Sequence, residues 1–348
     1  MTKKAKKELE VVAVDATNEE VITLDEDIVD LTTYALEDMI NFGLDTGKMN
    51  TQLVGANNLT DIIPSRIEID SEGTFGNKVS INGRICEISV DSPYSDNHSK
   101  NEEHSIFLGW YMISRNVKSG SVVNVGIGLP LDIYKNIEER TRFAENFLNG
   151  NKPIYIDDKH FTINKVLVCP EGVSATTQHR LKRNTAVIDM GGRNVGMAIV
   201  DEKGRVIKES INTYDEGMHK AIKNLRFELR SDNITGYEEE NLRNIIFNGG
   251  ANKIIKSKMD KFFGGYLKRI KNKIDKELQG FIRSTTDLLF VGGTSKYLEE
   301  TIKSTFENAN LEIEDEADKY TFSVSEDALW DNPKAYLALL LNVLGIKG

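Results

Sequence analysis

A chain of 348 residues is long enough for two ordinary domains, and 39% apolar with 28% charged residues is the composition of a soluble globular protein. No apolar run approaches the roughly 18 residues of a membrane span, and the start "MTKKAKKELEVV" has no apolar core of signal-peptide length, so a cytoplasmic protein is expected. The net charge of −10 is uneven: residues 1–40 hold 4 Lys against 11 Asp and Glu, leaving only −3 for the rest, so composition does not indicate a broadly basic nucleic-acid surface.

The acidic N-terminal extension reads either as a solubilising arm or as a segment adding a strand through "EVVAVDA". Cys86 and Cys169 form no metal pattern and are too few for a disulfide framework, in keeping with a reducing compartment.

The first clear element is "INFGLDTGKMNTQLV", residues 40–54. An apolar run ends at Asp45, Gly47 follows two residues on, and a second apolar run begins after a short polar loop. This spacing predicts a β-hairpin with an acid at the tip of its first strand. Next, "ANNLTDIIPSRIEI" places a turn at Asn57 and Asn58, and Pro64 ends or edges a strand. Residues 70–105 are polar and turn-rich and read as a small inserted subdomain. There His98 and His104, with Asp96 and Glu102, are either a metal cluster or the ordinary residues of a solvated loop.

Longer apolar elements return in 106–183, where "SVVNVGIGLPL" and "TINKVLVCPEG" predict strands that end in loops. Gly126 and Gly128 form a lone G-x-G followed by Leu129, Pro130 and Leu131, so the third glycine of a dinucleotide fingerprint is missing and a Rossmann site is rejected.

Residues 187–200, "VIDMGGRNVGMAIV", repeat the first hairpin with Asp189 and Gly191 in the same places. Asp and Gly are also the commonest turn residues, so recurring turn chemistry and shared function both account for the repeat at this point. Then "VDEKGRVI" turns through Gly204, and "HKAIKNLRFEL" puts Ile222, Leu225 and Leu229 on one helical face. The Lys-rich stretch within 232–284 alternates bases with Ile, Phe, Leu and Met at helical spacing. It predicts a packed helix pair with a solvated basic face, or a contact with a polymer neighbour or nucleic acid. In "TDLLFVGGTSKYLEETIKSTF" an apolar strand runs through Gly292 and Gly293 into a helix with Leu298, Ile302 and Phe306 on one face, an arrangement suited to a nucleotide or its phosphates.

The ordered set of these strings resembles the actin-like ATPases, and most closely the bacterial plasmid-segregation actins, the ParM family, over residues 38–348. "FGLDTGKMNTQLV" looks like the first phosphate loop, "VIDMGGRNVGMAIV" like the second, "FVGGTSKYL" like the adenosine motif and "DNPKAYLALLLNVLG" like the connecting helix; "IIPSRI", "GLPL" and "VCPEG" fall where that family has similar strings. The resemblance implies an α/β actin-like fold of two ribonuclease-H-like domains, each with a five-stranded sheet and a small inserted subdomain, around a central nucleotide cleft. It places an acidic extension at 1–35. Domain I takes 36–69, 106–184 and 331–348, with 70–105 inserted; domain II takes 185–330, with a helical subdomain at about 225–285.

The site implied by the same resemblance holds ATP or GTP with Mg²⁺. Asp45, Thr46, Gly47, Lys48, Met49 and Asn50 form its first loop and Asp189, Gly191, Gly192, Arg193 and Asn194 its second. Gly292, Gly293 and Thr294 border the nucleotide, Tyr297 lies against the base and Gly217 approaches the ribose. Asp45 and Asp189 hold Mg²⁺ through water, because a bare carboxylate would be repelled by a triphosphate. Glu171 in "CPEG" orients the attacking water and is the catalytic residue. One departure stands out: the family's phosphate-contacting Lys, seven residues after the first Asp, is Gln52 here, and Lys48 or Arg193 is left to supply that charge.

The activity implied is nucleotide hydrolysis coupled to polymerisation, with the chain itself as filament partner and plasmid DNA moved through a DNA-bound adaptor, without direct DNA or membrane binding. A sugar or small-metabolite kinase of the same superfamily is the alternative. It would need a base aimed at an acceptor hydroxyl, and no further Asp-Gly string furnishes one.

Overall fold

The computed structural model of the chain describes residues 12–14, 21–22, 39–72, 78–89, 92–94, 100–280 and 286–346. His98 and Asp96 lie outside the described residues. The chain divides into two compact units, 1–177 with 332–348, and 178–331.

In the first unit the N-terminal segment contributes β1 (Val12–Val14) and β2 (Val21–Ile22). The first hairpin is β3 (Ile40–Thr46) and β4 (Asn50–Gly55), followed by β5 (Thr60–Pro64), β6 (Glu68–Ile69), β7 (Lys78–Ile81) and β8 (Arg84–Glu87). Then come α1 (Glu103–Asn116), β9 (Ser121–Leu129), α2 (Leu131–Tyr134), α3 (Ile137–Leu148), β10 (Ile154–Ile156) and β11 (Lys159–Pro170). Asn136 caps α3 by accepting from the backbone N–H of Glu138 (2.9 Å) and Glu139 (3.3 Å), and those two acids suit the positive end of the helix.

The sheet's central order is β5-β4-β3-β9-β11, with β3, β9 and β11 parallel and the hairpin strands antiparallel. The parallel strands are covered on both faces and read as nearly continuous apolar runs. On one face Phe42, Leu44, Val123, Val125 and Ile127 join the core with Trp110 of α1 and Phe143 and Phe147 of α3, and the Trp110 indole N–H donates to the Phe147 carbonyl (2.9 Å).

This sheet is longer than the five strands expected. β11 has twelve residues and a register shift between Ile163 and Lys165, so it offers two stretches of outer edge. Its start pairs with β10, which carries on through β7, β8 and β6; its end pairs in parallel with β1, Val12 opposite Leu167 and Ala13 opposite Val168. The segment "EVVAVDA" does add a strand.

The second unit opens with the second hairpin, β12 (Asn184–Met190) and β13 (Val195–Val200), then β14 (Val206–Tyr214). The helices α4 (Met218–Ser231), α5 (Glu239–Asn248) and α6 (Lys253–Glu277) follow, then β15 (Thr286–Val291), α7 (Gly293–Tyr297), α8 (Glu299–Leu311) and β16 (Thr321–Val324). Its five-stranded sheet runs β14-β13-β12-β15-β16, again with two antiparallel hairpin strands and then parallel neighbours. It repeats the central order of the first unit, each Asp-tipped hairpin occupying the same place. In α4 the predicted face of Ile222, Leu225 and Leu229 is buried, and in α8 Ile302 and Phe306 are. In α6 Phe263, Leu267, Ile270 and Ile274 are buried, while Lys253, Lys261, Lys268 and Lys276 are exposed: a packed helix with a solvated basic face.

The last helix, α9 (Asp331–Val343), packs on the first unit's sheet. Gly43 and Gly126 stand side by side in the β3–β9 ladder, and a Cβ on them would lie 1.8 Å from the Pro333 carbonyl oxygen and 2.4 Å from that of Tyr336. A Cβ on Gly128 would lie 2.1 Å from the Tyr336 hydroxyl. The lone G-x-G is thus a groove for α9, taking the Tyr336 backbone at Gly126 and its side chain at Gly128.

Candidate functional site

In the first unit, β3 presents Asp45 at its carboxyl end, opposite Gln52 in the ladder, and Gly47, Lys48 and Met49 connect to β4. The turn is anchored from β5's far end: the Ser65 N–H donates to the Met49 carbonyl (2.9 Å), the Ser65 hydroxyl donates to the Gly47 carbonyl, and Thr51 and Ser65 share a hydrogen bond of 2.9 Å. Asp45, Thr46, Met49 and Thr51 are buried and Asn50 is half-buried.

Glu171 follows β11 directly, its N–H donating to the Leu129 carbonyl at the end of β9 (2.9 Å). The next residue, Gly172, has φ +68° and donates its N–H to the side-chain oxygen of Asn332 at the start of α9 (2.9 Å). Glu171 therefore sits at the carboxyl edge of the parallel strands beside Asp45, where open α/β sheets place their ligands.

Both carboxylates reach one cation. The Lys100 ammonium donates to Asp45 Oδ1 (2.7 Å) and pairs with Glu171, and its side chain is almost fully buried. Burial pulls this ammonium down, but the two carboxylates outweigh it and hold the pKa above the ordinary lysine value. Lys48 is engaged elsewhere: its Nζ lies 2.6 Å from Glu102 Oε1 and 3.4 Å from the Ser105 hydroxyl. Burial depresses the Lys48 pKa, and Glu102 offsets only part of the effect. His104 sets its Nε2 3.5 Å from the Pro93 carbonyl, and among the described residues no group of three His, Cys, Asp or Glu side chains is arranged to hold a metal ion.

In the second unit Asp189 pairs with Gly196 across the hairpin and lies beside Val291 of the parallel strand β15. The loop Gly191-Gly192-Arg193-Asn194 closes on itself, the Gly191 N–H donating to the Asn194 carbonyl (2.9 Å). Its carbonyls then cap α4. Arg193 accepts from the Gly217 N–H (3.0 Å), Gly191 from Met218 (3.2 Å) and Gly192 from His219 (2.9 Å), which satisfies donors that a helix start leaves open. A Cβ on Gly217 would lie 2.1 Å from the Arg193 carbonyl carbon, so the loop and helix meet only because position 217 has none.

The Thr294 hydroxyl donates to the Gly191 carbonyl (3.1 Å) and ties the Gly-Gly turn to the hairpin. Gly293 starts α7, and Gly292 packs on Asp189. Arg193 faces Asp215 at 3.9 Å. Tyr297 stacks on Phe247 of α5, ring centroids 4.2 Å apart and planes at 33°, and burial raises its pKa. The second unit thus gathers Asp189, the loop, Gly217, Gly292, Gly293 and Thr294 at one sheet edge.

Lys100, Asn332 and Phe247 were not singled out in the sequence. Only their partners, far away in the chain, distinguish them from ordinary polar or apolar residues.

Two sheets of one strand order, each carrying an Asp-tipped hairpin at the carboxyl edge of its parallel strands, are the repeated architecture of the actin-like fold. Residues 43–173 match the family model described as the N-terminal domain of actin like proteins. No curated protein matches the chain. Among solved structures, the ADP complex of Ta0583, an archaeal actin homolog, is similar at 17% identity and a TM-score of 0.69, covering 86% of this chain and 98% of that one. The actin-like protein Alp7A is similar at 15% identity and 0.69, covering 88% and 97%. A subunit of a 15-stranded ParM filament from Clostridium botulinum is similar at 16% identity and 0.66, covering 88% and 99%. The chain has the actin-like fold, and the resemblance to ParM-type proteins drawn from its motifs is borne out. No helix among the described residues is long and apolar enough to cross a membrane.

Proposed function

We propose that the chain is an ATPase or GTPase whose Mg²⁺-nucleotide drives its own copies into filaments, and that these filaments move plasmid DNA through a DNA-bound adaptor. The observation that carries this reading is the repeat of one Asp-tipped hairpin at the same place in two sheets of the same order, with Glu171 beside the first of them. Support comes also from the similar proteins, one solved with ADP and one solved as a filament.

The carboxylates beside the first hairpin support a divalent cation there. Asp45 and Glu171 already share one cationic group, the Lys100 ammonium, so their oxygens are turned to a common positive charge. Asp45 and Asp189 would hold Mg²⁺ through water, and the metal would supply charge neutralisation of the phosphates. Glu171 orients the attacking water and accepts its proton. The two glycine-containing loops bring backbone N–H groups to the phosphates, Lys48 through its backbone while Glu102 keeps its ammonium, and Arg193 adds charge from the second loop. Gly217, Gly292, Gly293 and Thr294 border the nucleoside, and Tyr297, backed by Phe247, takes the base.

Light scattering and phosphate release, followed together after addition of Mg-ATP or Mg-GTP to wild type and Glu171→Ala, test this reading. Scattering should rise and decay in the wild type and persist in the variant. Phosphate release that depends on a small acceptor and brings no scattering at any protein concentration would replace it with the kinase.

A further inference from the structure

An ammonium has three N–H donors, and its hydrogen bonds to charged partners are strong. The Lys100 ammonium donates to Asp45 and forms an ion pair with Glu171. Among the described residues the ammonium has no further hydrogen-bond or ion-pair partner, although the residue is only 3% exposed. Gln52, across the ladder from Asp45, brings no charge, and the Lys48 ammonium is committed to Glu102. Lys100 compensates the two carboxylates, yet a buried ion triad adds little net stability compared with apolar packing.

We propose that Lys100 senses the terminal phosphate of the nucleotide: it neutralises Asp45 and Glu171 in the free chain, and donates its remaining N–H to the terminal phosphate of a bound triphosphate. The inference rests on the nucleotide reading above. A triphosphate approaching Asp45 and Glu171 meets two negative charges, which Lys100 reduces to one; when Asp45 turns to the metal, the ammonium keeps Glu171 as its anchor and gains a phosphate oxygen. A diphosphate lacks that oxygen. The chain should therefore prefer triphosphate over diphosphate, and Lys100 should set the preference.

The test is equilibrium binding of fluorescent ADP and of a fluorescent non-hydrolysable ATP analogue, with Mg²⁺ and at protein concentrations too low for assembly, to wild type, Lys100→Met and Lys100→Arg. Loss of one hydrogen bond to a charged phosphate should cut the triphosphate preference about tenfold in Lys100→Met, with ADP affinity nearly unchanged and Lys100→Arg retaining most of the preference. A preference unchanged in Lys100→Met overturns the inference alone, as does an equal loss for both nucleotides, which would mean a structural role only. If Lys100→Met does not fold, the same ratio is compared between Glu171→Gln and Glu171→Gln with Lys100→Met, where one uncompensated carboxylate is gone; the same outcomes decide. A wild type that binds neither nucleotide overturns the functional reading and this inference together.

Discussion

The Asp189 carboxylate lies against the backbone of Gly292, so closely that a Cβ on the glycine would stand 2.2 Å from Asp189 Oδ1 and 2.8 Å from the Met190 carbonyl oxygen. Gly292 also has φ +84° and ψ 154°, a region open essentially to glycine alone. The strand-to-helix turn after β15 therefore packs directly against the acid of the second hairpin.

Gly292→Ala should cost about 1–3 kcal/mol from backbone strain alone, before the clash with Asp189 is relieved. For a unit of this size each kcal/mol lowers the melting temperature by roughly 2–4 °C, so calorimetry should show a clear drop. A melting temperature equal to wild type would mean that the turn relaxes without disturbing Asp189.

Asn332 should matter to Glu171 without being next to it in sequence. Its side-chain oxygen accepts the Gly172 N–H, the backbone group immediately after the catalytic candidate, and Asn332 is buried. Asn332→Ala leaves a buried donor without its acceptor, a cost of about 1–3 kcal/mol. Phosphate release should slow about 10- to 100-fold, mainly through kcat, because a small misplacement of a positioning group costs rate more than affinity. Unchanged kcat with an altered KM would show that the turn does not govern Glu171.

The parts that were legible in the sequence are local. Both hairpins are written within fifteen residues each, and the strand–Gly-Gly–helix after Thr286 and the buried faces of α4 and α8 need only short-range periodicity. What was not legible depends on distant partners. The sequence rejects Gly126 and Gly128 as a dinucleotide loop but leaves them without a role, because the Tyr336 backbone and hydroxyl that fill their groove come two hundred residues later. Lys100 sits in a polar run where any lysine reads as solvated, and only folding brings Asp45 and Glu171 to it. The long first sheet was missed because a strand's outer edge leaves no mark in its own sequence; the pairing of β1 and β10 on one strand is a property of β11's length and bulge.

Phe247 and Tyr297 come from different helices and stack at 4.2 Å. Such pairs contribute about 0.5–1.5 kcal/mol beyond area burial, so a double-mutant cycle of Phe247→Leu and Tyr297→Leu in chemical denaturation should return coupling of that size. Both single variants should also weaken nucleotide binding if the pair supports the base. Strictly additive stabilities would show that the rings merely adjoin.

His104 gives the first unit a predictable response to acid. Burial depresses its pKa; the Pro93 carbonyl opposes this weakly, and of the charged groups nearby Lys48 adds to the depression while Glu102 counters it. In the unfolded chain the ring titrates near its ordinary value of about 6.5. Between that value and the lower folded one, the unfolded state holds the proton and the folded state does not, so stability must fall as pH drops through this window and is fully present above it. Chemical denaturation of wild type and His104→Gln from pH 8 down to pH 5 isolates the contribution. The wild type should lose stability more steeply below about pH 6.5, and the difference between the two proteins should vanish as a slope above it. Parallel profiles throughout would assign the acid response to other groups and show that the His104 ring is protonated as easily in the folded chain as in the unfolded one.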